Sequence, residues 1–299
     1  LEGLKTVKVN SKVPPRADVS TFYGINRSQV KLIVPKGSEA AYKKAPGWSR
    51  FFAEPKTAKE VSDPSMCLAP YPMELSVLNG AKGIDVQTAW NIVATEGLQN
   101  EQNQARRMLT ERIGNIVNSR QRGIVLNLSL DQSLTDNEAY TLAVDAKGVT
   151  IKGKTAQGVF WGLMTLDQIL RGSGNKECVD IIPQLTIKDA PRTHVRELMV
   201  DPARTFIPFD DLKAFIPEMA RYKLNALHLH LVDDQAWRIE IKKYPQLTEQ
   251  ASSRWGQDDM LAPYKGFYTQ EQMRELVKYA ATYHVEIVPE IEMPGHEVA

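Results

Sequence analysis

The sequence predicts an α/β chain: an incomplete (β/α)8 TIM barrel, of which the first three strands are present, preceded by an α+β domain and a small β-rich module. Three observations predict it. Residues 189–299 alternate strand, helix, strand, helix, strand, with polar residues gathered where the strands stop. Residues 68–188 read as runs of strands with two amphipathic helices. Residues 1–55 form a separate short zone, set off by a charged, Pro-containing linker at 56–67.

In the first zone an apolar strand, "VKLIV", reaches Pro35 and Gly37, and a short helix carries Ala40, Ala41 and Tyr42 before "PGW". In the second zone "ELSVL" is a strand. "NEQNQARRMLTERIGNIVNS" is a helix with Ala105, Met108, Leu109, Ile113 and Ile116 on one face. The strands "GIVLNLSL", "EAYTLAVDA" and "GVTIKG" follow, then a second helix, "AQGVFWGLMTLDQILR". Two helices on one face of a mostly antiparallel sheet make an α+β layer. No GxGxxG or GxxxxGK[ST] occurs in it, so nucleotide binding has no motif to rest on.

In the third zone "VRELMV" is a strand and "FDDLKAFIPEMARYK" a helix, with Phe209, Leu212, Ile216 and Met219 on its apolar stripe. Asp210 and Asp211 occupy its first turn, Arg221 and Lys223 its last, as the helix dipole favours. "ALHLHLV" is the next strand. A loop over about 243–268 leads to a helix opened by Thr269, with Gln272 at the capping-box position, and then to the strand "VEIVPEIEM". Three strands of eight cannot close a barrel.

Composition bounds the function. The 299 residues carry 42% hydrophobic and 24% charged side chains, and the net charge of +1 offers no basic field for nucleic acid. There is no apolar stretch long enough for a membrane helix and no visible signal peptide, in a sequence that begins at Leu1. Cys67 and Cys178 lie outside any CxxC pair; they read as one disulfide or as two thiols.

Each of the three strands ends in chemistry: Asp201 and Arg204, then Asp233 and Asp234, then Glu290, Glu292 and His296. Barrel geometry brings such ends to one pocket, and carboxylates meeting an Arg and a His suit a polyhydroxyl ligand. The "HLH" of His228 and His230, with His296 as a third imidazole, supports a competing reading as a metal-dependent amidohydrolase. Against it, both histidines precede the strand end, where side chains fill a barrel. His194 and His284 have no partner motif and read as packing or surface residues. Alternation puts His228, His230 and Asp234 on one face and Asp233 on the other, so parity alone does not say which aspartate enters the pocket.

At these residues the sequence resembles glycoside hydrolase family 20, the β-N-acetylhexosaminidases. "GVFWGLMTLDQIL", "DAPRTHVRELMVDPARTF", "LHLHLVDDQAWRIEI" and "VPEIEMPGH" carry the resemblance over about 70–299. It implies that Asp233 pairs with His296 to support a catalytic acid, and that Arg204, Glu292 and Asp234 contact the sugar. The implied ligand is a carbohydrate with a terminal N-acetylhexosamine, cleaved by substrate-assisted, retaining hydrolysis without metal or organic cofactor. The family's adjacent Asp–Glu pair has no counterpart, because no Asp–Glu dipeptide occurs in the sequence. The chain is therefore expected to be an inactive N-terminal part of such an enzyme; a non-catalytic carbohydrate-binding surface protein is the alternative. Two departures, Thr205 in place of a frequent His and Glu197 in place of a frequent Gly, bear on substrate preference. Residues 1–55, through "FYG" and the VPxGSxxAYxxAxGW run, resemble the terminal unit of a BspA-type leucine-rich repeat. Periplasmic, secreted or cell-surface location follows from these resemblances; oligomeric state does not.

Overall fold

The computed structural model describes residues 5–17, 30–45, 47–52, 61–114, 123–172, 178–254, 264–296 and 298. In the N-terminal module, strands β1 (Thr6–Lys8) and β2 (Lys31–Ile33) pair in parallel, and helix α1 (Glu39–Lys44) follows. Gly37 takes φ +86° at the turn between them, a conformation that favours a residue without Cβ. Tyr42, Trp48 and Ala17 form a small core of their own, covered by Val7, Val9, Leu32 and Val34. "FYG" lies outside the described residues.

The second part is a six-stranded sheet. Its strands are β3 (Glu74–Val77), β4 (Trp90–Ala94), β5 (Ile124–Leu130), β6 (Tyr140–Val144), β7 (Gly148–Gly153) and β8 (Leu185–Asp189), ordered β3-β8-β6-β7-β5-β4. Three ladders are antiparallel and two, β4–β5 and β5–β7, are parallel. Strand β4 was not anticipated, although Trp90 and Ile92 are buried in alternation as a strand requires. Helix α2 (Gln99–Arg112) buries Ala105, Met108 and Leu109 as expected but ends before Ile113; Ile116 lies outside the described residues.

Helix α3 (Ala156–Arg171) is buried at every position from Gly158 to Leu170, because it lies between the sheet and the next part of the chain. Gly158 and Gly162 allow that approach: a Cβ on the first would strike the Ala139 carbonyl, and on the second the Ile151 side chain. Buried Asp167 on α3 accepts from Arg112 at 2.7 Å, Arg171 at 2.9 Å and Arg221 at 3.3 Å, joining three helices.

The third part is a three-stranded parallel sheet in chain order: β9 (Glu197–Val200), β10 (Ala226–His230) and β13 (Glu286–Glu290). Helices α4 (Phe209–Arg221) and α5 (Gln270–Ala281) make the two crossovers. On α4, Leu212, Ile216 and Met219 are buried, as the stripe predicts, while Phe209 is only partly covered. Lys223 departs from expectation. It lies beyond the helix at φ +61°, and its buried ammonium bonds Asp189 and the Tyr140 hydroxyl, each at 2.8 Å, instead of capping α4. Thr269 makes the full capping box with Gln272, through bonds of 3.1 and 2.9 Å. Cys67 and Cys178 are free thiols. Among the described residues no helix is long and apolar enough to cross a membrane.

Candidate active site

The register aligns Val200 with Leu229 and His230 with Glu290, so the three strands stop at one level and present their next residues together. Strand β10 ends at His230. The chain then folds into a two-residue hairpin, β11 (Val232–Asp233) against β12 (Ala236–Trp237). This break after His230 cancels the strand parity. Asp233, not Asp234, turns to the histidine side and is only 1% exposed, whereas Asp234 is exposed.

Asp233 is the hub. Its Oδ2 lies 2.7 Å from His230 Nε2 and 2.5 Å from Arg204 Nη2. Its Oδ1 accepts the Asp234 backbone N–H at 2.7 Å and faces His296 Nδ1 at 3.2 Å. The expected Asp233–His296 pair is therefore formed, with His296 half exposed and in the left-handed region at φ +57°.

His230 was expected to fill the barrel away from any ligand. Instead it joins two carboxylates, with Nε2 on Asp233 and Nδ1 2.7 Å from Glu290 Oε2. The reason is the hairpin, which carries Asp233 back over the strand end. Two ionised carboxylates, one on each ring nitrogen, favour the protonated imidazole, the form that donates from both. His228 Nε2 reaches the same Glu290 oxygen at 3.0 Å, and Glu197 stands 4.0 Å from His228 Nδ1. His228 is thus also part of the network. Glu290 is among the strand-end carboxylates the sequence brings to the pocket, but His230 enters there only in the metal reading; a His three residues before an Asp, across a strand end, is the signal for its pairing.

The electrostatics follow. Burial alone would lower the His230 pKa, but Asp233 and Glu290 outweigh it and hold it above the ordinary value. Burial would raise Asp233, yet its bonds from His230, the Asp234 N–H, Arg204 and His296 keep it low. Glu290 is held low chiefly by its bond to His230.

Arg204 is gripped by Asp201 Oδ2 at 2.5 Å as well as by Asp233, and its side chain remains 45% exposed. Its loop is set from below by Arg238, which is fully buried. Arg238 donates to the carbonyls of Pro202 at 2.9 Å, Ala203 at 3.2 Å, Ser252 at 2.5 Å and Gly266 at 2.9 Å. Asp234 Oδ1 accepts from the Val298 N–H at 3.4 Å, and Glu292 lies near His230 and Glu290. The five predicted residues, Arg204, Asp233, Asp234, Glu292 and His296, are thus all at the strand ends. His194 and His284 lie away from them, facing Asp136 at 3.9 Å and Glu101 at 2.8 Å.

The three-histidine metal arrangement does not form. Glu290 and Asp233 stand between the imidazoles, and both nitrogens of His230 are engaged. Two mixed groups do bring ligand atoms within 4.8 Å, His230–Glu290–Glu292 and Asp233–Asp234–His296. In both, the central group already has charged partners, so an ion would have to displace them.

Residues 194–299 match the catalytic domain of glycosyl hydrolase family 20, and residues 65–190 match domain 2 of the same family. The chain is 44% identical over 182 residues to a β-hexosaminidase of Porphyromonas gingivalis, covering 59% of this chain and 23% of that protein. It is 42% identical over 177 residues to a β-hexosaminidase of Akkermansia muciniphila, covering 58% and 35%. Among solved structures it resembles the family 20 exo-β-N-acetylglucosaminidase of Vibrio harveyi in complex with N-acetylglucosamine. There the TM-score is 0.68 and the identity 28%, over 82% of this chain and 39% of that one. The Streptomyces plicatus N-acetyl-β-hexosaminidase gives 0.67 and 33% over 79% and 47%. The chain thus spans between 23% and 47% of the length of these relatives.

Proposed function

Since the chain belongs to glycosyl hydrolase family 20, we propose that it is the N-terminal part of an exo-β-N-acetylhexosaminidase that removes terminal N-acetylhexosamine from glycans. The observation that carries this is buried Asp233, held at once by Arg204, His230 and His296 where the parallel strands end. Arg204 keeps exposed side-chain surface with which to donate to sugar hydroxyls, and Asp234 and Glu292, at the ends of the other two strands, are further acceptors. Asp233 and His296 support the catalytic acid, and His230 with Glu290 holds Asp233 ionised behind them.

The reaction is substrate-assisted. The acetamido oxygen of the sugar attacks C1 as the glycosidic C1–O bond breaks, and a general acid delivers its proton to the leaving oxygen. Water then reopens the cyclic intermediate with the anomeric configuration retained. The acid and the carboxylate that orients the acetamide form an adjacent Asp–Glu pair in this scheme. The 299 residues contain no such dipeptide, so these residues alone bind sugar without turning it over. The three parallel strands are the first of a (β/α)8 barrel. The 25-residue offset between paired Thr6 and Lys31 supports reading 1–55 as a leucine-rich-repeat unit, whose period is about 20–29 residues. Periplasmic, secreted or surface location goes with both readings.

The test is to extend the coding sequence past Ala299 and assay an aryl N-acetyl-β-glucosaminide. Hydrolysis is expected from the extended protein only, with an adjacent Asp–Glu in the added sequence. Turnover by the 299 residues alone would defeat the proposed division of the site. An extended protein that binds N-acetylglucosamine without hydrolysis would make it a carbohydrate-binding protein instead.

A further inference from the structure

The whole-chain charge of +1 conceals an asymmetry. Residues 1–55 hold ten Lys and Arg against four Asp and Glu, a net +6, which leaves −5 on residues 56–299. In the described part of the module, Lys5, Lys8, Lys12, Arg16, Lys31, Lys36, Lys43 and Lys44 are all exposed, and Glu39 is its one described carboxylate. Glu39 is itself turned to the Gly37 N–H at 3.0 Å.

The sheet concentrates this charge. Val7, Val9, Leu32 and Val34 face the small core, so strand alternation sends Thr6, Lys8, Lys31 and Ile33 to the opposite face. The parallel register puts Lys31 beside Thr6 and Ile33 beside Lys8, and the Lys31 N–H donates to the Lys5 carbonyl at 3.0 Å. Lys8 and Lys31 therefore share the outer face of two short strands, while exposed Lys5 precedes β1 on the parity of Val7 and Val9. None of them makes an ion pair with a described carboxylate.

We propose that this outer face, centred on Lys8 and Lys31, docks an anionic polysaccharide and so holds a glycan beside the hydrolytic part of the protein. Charge complementarity carries the polyanion. The choice of a glycan over nucleic acid rests on the hexosaminidase reading, and on the lack of an exposed aromatic side chain in the described module on which bases would stack.

The test uses the 299-residue chain on a sensor bearing heparin, with hyaluronan as the carboxylate-only polymer, dextran as the neutral one and duplex DNA as the competing polyanion. Heparin binding is expected to weaken linearly in log K with log salt. Reversal of Lys8 and Lys31 to Glu is expected to weaken it about tenfold or more, with dextran unbound. Comparable binding to hyaluronan assigns the recognised group as carboxylate or sulfate alike; heparin alone assigns sulfate. Because Lys8 and Lys31 lie on the face opposite the Tyr42–Trp48 core, their neutralisation to Gln preserves the fold and serves as the control, also weakening binding. Unchanged affinity in both variants, equal binding to dextran, or tighter binding to DNA than to heparin overturns the proposal. The readout is binding, so failure of the hydrolysis assay leaves it standing and its own failure leaves the hydrolysis assay untouched.

Discussion

His230 faces a carboxylate from each ring nitrogen, and this arrangement makes the site pH-sensitive in a defined direction. Its raised pKa stabilises the fold fully below the ordinary histidine value of 6.5, and that contribution is lost as pH rises through the raised value. Asp233 and Glu290, held low, contribute above the ordinary values of 3.8 and 4.5, and that contribution is lost as pH falls through their lowered values. Urea unfolding across pH should therefore show the network strongest in mildly acidic solution, between the carboxylate and histidine ranges. Asp233→Asn keeps the shape but removes the charge, so the His230 titration followed by NMR should move to lower pH. A midpoint that stays in place would mean that Glu290 alone sets it.

Among the elements, the β9–α4 loop depends on one distant side chain. Arg238→Met leaves four carbonyls without their guanidinium and should cost about 3 kcal/mol or more in urea unfolding. Amide exchange at Ala203 and Arg204 should quicken in the same variant, since their loop loses its support. Lysine does not substitute, because an ammonium on a flexible stem cannot span carbonyls that a planar fork reaches together. Helix α5 tests a local effect. Thr269→Ala removes the capping-box hydroxyl and should cost about 1 kcal/mol, read as a lower unfolding midpoint.

At the scale of the whole molecule, the sheet domain and the parallel strands share one hydrophobic core, in which α3 is buried on all sides. Asp167 ties that helix to Arg112 on α2 and Arg221 on α4, so it links the two parts. Asp167→Asn should cost about 3 kcal/mol, the low end for breaking a buried pair, because the guanidiniums keep some solvent. It should also lower the unfolding midpoint of both parts together. Separate transitions would show that the apolar contact suffices without the ion cluster.

Local and periodic features can be read from the residues alone. The apolar stripe of α4, the Thr269 cap, the strands that end in Asp201, Asp233 and Glu290, and the motif series of family 20 were all legible, because each depends on residues a few positions apart. Which atoms meet depends on how the elements pack. Alternation assigned Asp233 to the wrong face because β10 stops at His230 and a hairpin resets the parity. His230 reached Glu290 only through strand register, 60 residues away in the chain. Lys223 found Asp189 across 34 residues, and Arg238 the Pro202 carbonyl across 36. Such pairings are fixed by packing between elements, and the charge of a side chain does not encode which partner the fold will bring to it.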